Sequence, residues 1–291
     1  MLRHILLLVS LAWIAACADD SAVVSVPDRA NDYTVLDGFI KLYWQEDEGR
    51  LLFRVDTFDE PFLYQASMPR GVGSNDLGLD RGQLGQTAIV RFVRSGPKVL
   101  LVAENLDYRA LSDDALERQA IDESFARSVL WGFEVASDTG DAVLLDGTEF
   151  FLRDSHWLAA TLTAAEEGTF AVDSSRSAIY MPRTRAFPDN SEVEAIITLT
   201  GSASGAVLPT VAPNPDAITV HLHHSFIRLP DDNYEPLAYD PRAGIIGMSY
   251  QRSGFSDYAS AIGEPLTVRY GRRHRLEKVN PEADVSEAIE P

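Results

Sequence analysis

The chain has 291 residues, enough for one large domain or two small ones, and a globular chain of this size buries a sizeable core. With 45% hydrophobic and 24% charged residues it is composed like a folded protein, which excludes wholesale disorder. The 44 acidic against 25 basic residues leave −19 at pH 7, a charge that repels phosphate backbones, and the one short basic cluster, Arg269 to Lys278, has no aromatic interleaving, so no nucleic-acid partner is expected.

Residues 1–16 read as a leader. Arg3 supplies the charge, Ile5 to Ile14 the apolar stretch and Ala15-Ala16 the small residues before a cleavage point. The apolar run falls short of the roughly 20 residues that a spanning helix needs, which favours export. Ile14-Ala15-Ala16-Cys17 resembles the lipobox of bacterial lipoproteins, and that resemblance implies an acylated Cys17 and a lipid bilayer as partner. Cys17 is the single cysteine, so it has no internal disulfide to form. By analogy with lipoprotein sorting, Ala18 ahead of Asp19 favours the outer membrane or periplasmic face of a Gram-negative envelope. Residues 17–32 lack periodicity and read as a flexible tether.

The body expected over 33–279 is strand-rich. Phe39 to Trp44 and Leu51 to Val55 flank the turn Glu46-Asp47-Glu48-Gly49 as a hairpin, and Phe62 to Met68 follows as a third strand. The loop Pro69 to Gly85 carries five glycines, but no Gly-Lys-Ser/Thr closes it and no helix follows, so it reads as a connection using positive φ and not as a phosphate cradle. Thr87 to Val93 and Val99 to Ala103 are strands about Ser95-Gly96-Pro97. A helix is expected within 112–130, capped by Ser112 and striped by Ile121, Phe125 and Val129. Trp131 to Ala136 is the next strand. After the turn Asp138 to Asp141, Val143 to Leu145 and Glu149 to Leu152 bracket a further turn at Asp146-Gly147. Asp154 or Ser155 is placed to cap a helix over His156 to Ala165.

Phe170 to Thr200 reads as strand, turn, strand, with Pro182 and the turn Pro188-Asp189-Asn190 interrupting it before the alternating run Val193 to Leu199. Gly201 to Gly205 and Pro209 to Pro215 form a connection. Ala217 to Leu229 is the longest strand, Val268 to Leu276 the last, and the acidic tail 280–291 is expected to be disordered or loosely docked. The fold class expected is α+β, mainly antiparallel, with about two helices.

Histidines stand at 4, 156, 221, 223, 224 and 274, and none is followed by Glu, so the zinc motif His-Glu-x-x-His is missing. His221 and His223 share a strand face and form the one metal-like pair, needing a third ligand such as His156 or Asp231; histidines on a solvated strand face are the commoner arrangement. Gly201-Ser202-Ala203-Ser204-Gly205 has Ala203 where a nucleophile elbow needs Ser. The acidic pairs Asp231-Asp232 and Glu166-Glu167 suit solvated loops.

Arg176-Ser177, Pro182-Arg183-Thr184, Phe187-Pro188-Asp189-Asn190-Ser191-Glu192 and, later, Pro241-Arg242-Ala243-Gly244 carry a family likeness. They resemble the domain of unknown function that precedes the catalytic domain in a family of large bacterial met-zincin zinc metalloproteases. The resemblance covers only the front portion of that family. It implies structural roles for Arg176, Ser177, Pro182, Arg183, Phe187, Pro188, Asn190, Glu192, Pro241, Arg242 and Gly244, with no catalytic residue and no cofactor in this chain. Zinc would belong only to the catalytic domain, which in the family begins just beyond the point matched by Arg272 to Lys278. The expectation is a lipid-anchored accessory or prodomain-like piece, a shortened product or a separate front domain, with a downstream-encoded peptidase domain as partner. The alternatives are a free-standing envelope module that binds peptide or glycan, and a small hydrolase using His221 to His224.

Overall fold

Phe62, Tyr64, Ala66 and Met68 are buried while the residues between them are half-exposed, the period of two that gives a strand one dry face. This alternation governs the computed structural model, which describes residues 33–231, 234–243, 254–271 and 278–287. The leader and tether, Cys17, His4, Gly244 and His274 lie outside the described residues.

The first strands are β1 Thr34–Leu36, β2 Leu42–Gln45, β3 Arg50–Val55, β4 Phe62–Arg70, β5 Gln83–Ser95, β6 Lys98–Ala103 and β7 Tyr108–Arg109. Helix α1, Ala115–Ser124, leads to β8 Ser128–Asp138 and β9 Val143–Asp146, then to the single turn α2, Thr148–Phe151, and to α3, Leu158–Ala164. Next come β10 Gly168–Val172, β11 Ala178–Ile179, β12 Arg185–Ala186 and β13 Asn190–Ala203, the turn α4 Leu208–Val211 and β14 Ala217–Arg228. Strands β15 Leu237–Ala238, β16 Gly254–Asp257 and β17 Thr267–Gly271 close the order.

Thirteen strands make one antiparallel sheet in the order β1-β2-β3-β9-β8-β6-β5-β4-β14-β13-β10, with β11 and β12 also paired to β13. A smaller sheet, β15-β17-β16-β7, contains the one parallel pair among the described residues, β16 with β7. The mainly antiparallel, strand-rich architecture agrees with the sequence reading, and two of the helices exceed a single turn.

Phe53 of β3, Phe62 of β4, Phe92 of β5, Phe133 of β8, Val193 of β13 and Phe226 of β14 belong to one core. Strands about 4.8 Å apart in a flat sheet would hold the first and last of these far from each other, so the sheet curls around its apolar face. The seam is tied by hydrogen bonds: Phe39 N–H donates to the Phe187 carbonyl at 2.7 Å, Ile40 N–H donates to Ser191 Oγ at 2.9 Å, and that hydroxyl donates back to the Ile40 carbonyl at 2.8 Å. Gly38 permits the approach, because a Cβ there would lie 2.6 Å from the Phe187 backbone. A second core packs α3 and the 77–79 turn on the far halves of β13 and β14, around Leu158, Leu162, Ile197, Leu199 and Leu222.

Three local expectations change. Helix α1 is capped by Asp114, whose side chain accepts from Leu116 N–H at 2.8 Å, while the Ser112 hydroxyl accepts from Asp114 N–H one step earlier. Its stripe is interrupted because Phe125 turns extended and Val129 belongs to β8, and no residue of the helix is buried. The run Glu149 to Leu152 is largely a helical turn: Asp146 accepts from the Thr148 amide and hydroxyl, and Phe150 and Phe151 both enter the core, which strand alternation forbids. The expected connection after Leu199 begins later, since β13 runs through Gly201 to Ala203. By contrast Asp154 does cap α3, accepting from Leu158 and Ala159 N–H at 2.9 Å each. No helix among the described residues is long and apolar enough to cross a membrane.

The seam makes a quantitative prediction. Ser191→Ala orphans the Ile40 amide and carbonyl and lowers unfolding free energy by roughly 1–3 kcal/mol, read from urea denaturation; an unchanged midpoint would mean that the two ends of the sheet are not tied there.

Candidate functional site

Strands β13 and β14 pair with Glu192 opposite Ser225, Glu194 opposite His223 and Ile196 opposite His221. Because Val193, Ala195, Ile197 and Leu199 take the core phase of β13, Glu192 and Glu194 stand on the other face, beside the imidazoles of His221 and His223. The contacts run diagonally across the ladder. His221 Nδ1 meets Glu194 Oε1 at 2.7 Å and His223 Nε2 meets Glu192 Oε2 at 2.6 Å. Ser225 Oγ and Asn190 Nδ2 also donate to Glu192, and His223 Nδ1 lies 3.6 Å from Glu194.

The tautomer of His221 follows from its neighbours. Arg70 Nη1 lies 3.4 Å from His221 Nε2, and a guanidinium only donates, so Nε2 carries the lone pair and Nδ1 the hydrogen given to Glu194. The ring therefore links a cation to a carboxylate whose residue is 2% exposed. Tyr180 completes the enclosure, its ring edge-on to His221 at 4.9 Å with Arg70 5.3 Å over its face. At Glu192 burial opposes the charge, but hydrogen bonds from His223, Ser225 and Asn190 outweigh it and hold the carboxyl below its ordinary range.

The stretch between β10 and β13 is bound to this strand pair. Tyr180 N–H donates to the Glu194 carbonyl at 2.7 Å, Thr198 N–H to Ser177 Oγ at 3.1 Å, Thr198 Oγ1 to the Arg176 carbonyl at 2.8 Å, and Phe187 N–H to the Asn190 carbonyl at 2.7 Å. Pro182 opens a 3₁₀ turn, Met181–Arg183, where its missing N–H costs nothing. Ser177, Phe187, Asn190 and Glu192 thus come together around β13. Arg176 points to Asp173 at 3.2 Å, Arg183 is exposed, and Pro188 offers its carbonyl to Arg228. Pro241 and Arg242 lie apart in an exposed 3₁₀ turn, with Arg242 clamped on Asp240 at 2.7 Å.

His224, one residue on, faces the core. Its Nε2 donates to the Phe151 carbonyl at 3.2 Å, so Nδ1 accepts from the Tyr64 hydroxyl at 2.8 Å, and that oxygen accepts from Arg153 Nη2 at 3.0 Å. Burial, reinforced by the Arg153 charge, pushes His224 down to about 3, and burial lifts Tyr64 to about 12 despite Arg153. The phases that place these residues are visible in the chain: Val220, Leu222, His224 and Phe226 on β14, and Phe62, Tyr64, Ala66 and Met68 on β4.

The arrangement organises charge and leaves no activated nucleophile. Ser225 donates to the carboxylate and not to an imidazole, the reverse of a nucleophile–base–orienter chain. Among the described residues no group of three or more His, Cys, Asp or Glu side chains is placed to hold a metal ion. His156 lies instead against Gly85, its buried Nδ1 without a partner, and burial lowers its pKa.

The buried network gives a pH dependence with a defined sign. His224 stays neutral in the fold down to about pH 3, whereas in the unfolded chain it titrates near 6.5, so between these values the unfolded state binds more protons. Its contribution is complete above about pH 6.5 and is lost as pH falls, by up to about 1.4 kcal/mol per unit. Urea midpoints measured across this range will show that slope, and His224→Gln will flatten it. Separately, Tyr64→Phe removes the donor to His224 and costs roughly 1–3 kcal/mol at neutral pH.

Residues 82–279, more than half of the chain, match the model of a protein family described as a domain of unknown function, DUF5117. The matched segment holds β13 and β14, while β4, which supplies Arg70 and Tyr64, lies ahead of it in the same sheet. No curated protein and no solved structure matches the chain.

Proposed function

The chain belongs to the DUF5117 family, and from that premise we propose that it is a non-catalytic accessory or prodomain-like part of a zinc-dependent metalloprotease, lipid-anchored in the cell envelope through Cys17. One observation carries the non-catalytic reading: Ser225, the hydroxyl that shares Glu192 with His223, donates to that carboxylate and not to an imidazole, while His221 is held between Arg70 and Glu194. A serine-type hydrolytic site needs its hydroxyl to donate to the base that activates it. The residues that carry the likeness to met-zincin front domains support the same reading, because Ser177, Phe187 and Asn190 spend their hydrogen bonds on holding the chain to β13. Zinc and water activation would reside in the partner peptidase domain and not in this chain.

Two outcomes follow. The purified chain will leave an unstructured fluorogenic peptide uncut with or without added zinc, while its addition to the peptidase domain encoded downstream will alter that enzyme's kcat/KM; cleavage by the chain alone, abolished by a chelator, would refute the assignment. In cells, an acyl label will enter the wild-type protein and the membrane fraction will contain it, and Cys17→Ser will lose both; label retained by the variant would remove the lipid anchor from the account.

A further inference from the structure

Beside the seam of the sheet lies a cleft of about 670 Å³, within the size range of small-ligand and peptide side-chain sites. Its floor is aromatic: Phe62 packs 5.9 Å from Phe39 and 5.1 Å from Phe92. Its rim carries three cations, and each is already engaged. Lys41 pairs with Asp37 at 2.9 Å, Arg54 with Asp56, and Arg228 with Asp189 at 3.3 Å while its guanidinium lies 4.7 Å over the Phe39 ring. Glu60, also on the rim, is exposed and takes no hydrogen bond or ion pair among the described residues.

The uncommitted charge of the cleft is therefore a single carboxylate above an aromatic floor, in a chain of −19 whose field concentrates cations at its surface. A long basic side chain fits both features at once. Its methylenes lie on apolar surface while its head stays at the wet rim. The three cations already have carboxylate partners, so an acidic ligand would have to share each of them with a carboxylate of this chain.

We propose that this cleft binds a basic, partly apolar peptide segment, with the head of a Lys or Arg side chain paired with Glu60 and its methylenes against the apolar lining. The site goes beyond the accessory role and does not rest on it, because it is built by the 37–41 segment, the end of β3, the start of β4 and the end of β14.

The test uses the full-length chain and two short fluorescent peptides, one alternating leucine with arginine and its twin carrying glutamate for arginine, followed by anisotropy. The basic probe will bind, more tightly at low salt, and the acidic twin will not. E60Q will weaken the basic probe severalfold, up to about fivefold, and E46Q, which removes an exposed carboxylate in the β2–β3 turn, will leave it unchanged. No binding of the basic probe, equal binding of the twin, or equal losses in E60Q and E46Q would overturn the proposal.

Discussion

Glu194 is a carboxylate in a residue that is 2% exposed, and a charge so far from water is tolerated only if its partners are held in place. Three strands and the stretch before β13 supply that environment: Arg70 from β4, His221 from β14, Glu194 from β13 and Tyr180 between β11 and the 3₁₀ turn. A register slip of one residue in any of these strands would send its member to the apolar face. The polar constellation is therefore compatible with one register of β4, β14 and β13, the same register that buries the apolar face of each strand.

Strand β14 uses histidine in two opposite ways within four residues. His221 and His223 stand among carboxylates on the polar face, whereas His224 enters the aromatic core as a neutral ring bridging the Phe151 carbonyl and the Tyr64 hydroxyl. Imidazole suits both tasks because its two nitrogens can donate on one side and accept on the other. The consequence for function is subtractive. His221 and His223, which in isolation resemble metal ligands, are each paired with a carboxylate, and binding is proposed at the cleft beside the seam, where Glu60 has no partner among the described residues.

Much of the local structure was legible in the chain. The hairpins about Glu46 to Gly49 and Gly96-Pro97, the long strand from Ala217 and the Asp154 cap all rest on interactions within a few residues, where turn chemistry and alternation speak clearly. The shared face of His221 and His223 was likewise a consequence of period two. What escaped was non-local. Nothing near β3 announces its pairing with β9, nor does anything near β4 announce β14. The glutamates opposite the histidines become partners only once register is known. The Arg176 to Glu192 motif carries the family likeness, which implies structural roles, and several of its residues bond to β13.

The central claim is that the imidazoles of the β13–β14 face are paired with carboxylates, and histidine ring-nitrogen NMR tests it most directly. At neutral pH the account predicts His221 as the Nδ1–H tautomer and His224 as the Nε2–H tautomer, with the His221 and His223 signals unmoved by stoichiometric zinc. Joint displacement of those two signals on zinc addition, or a His221 ring protonated only at Nε2, would contradict it.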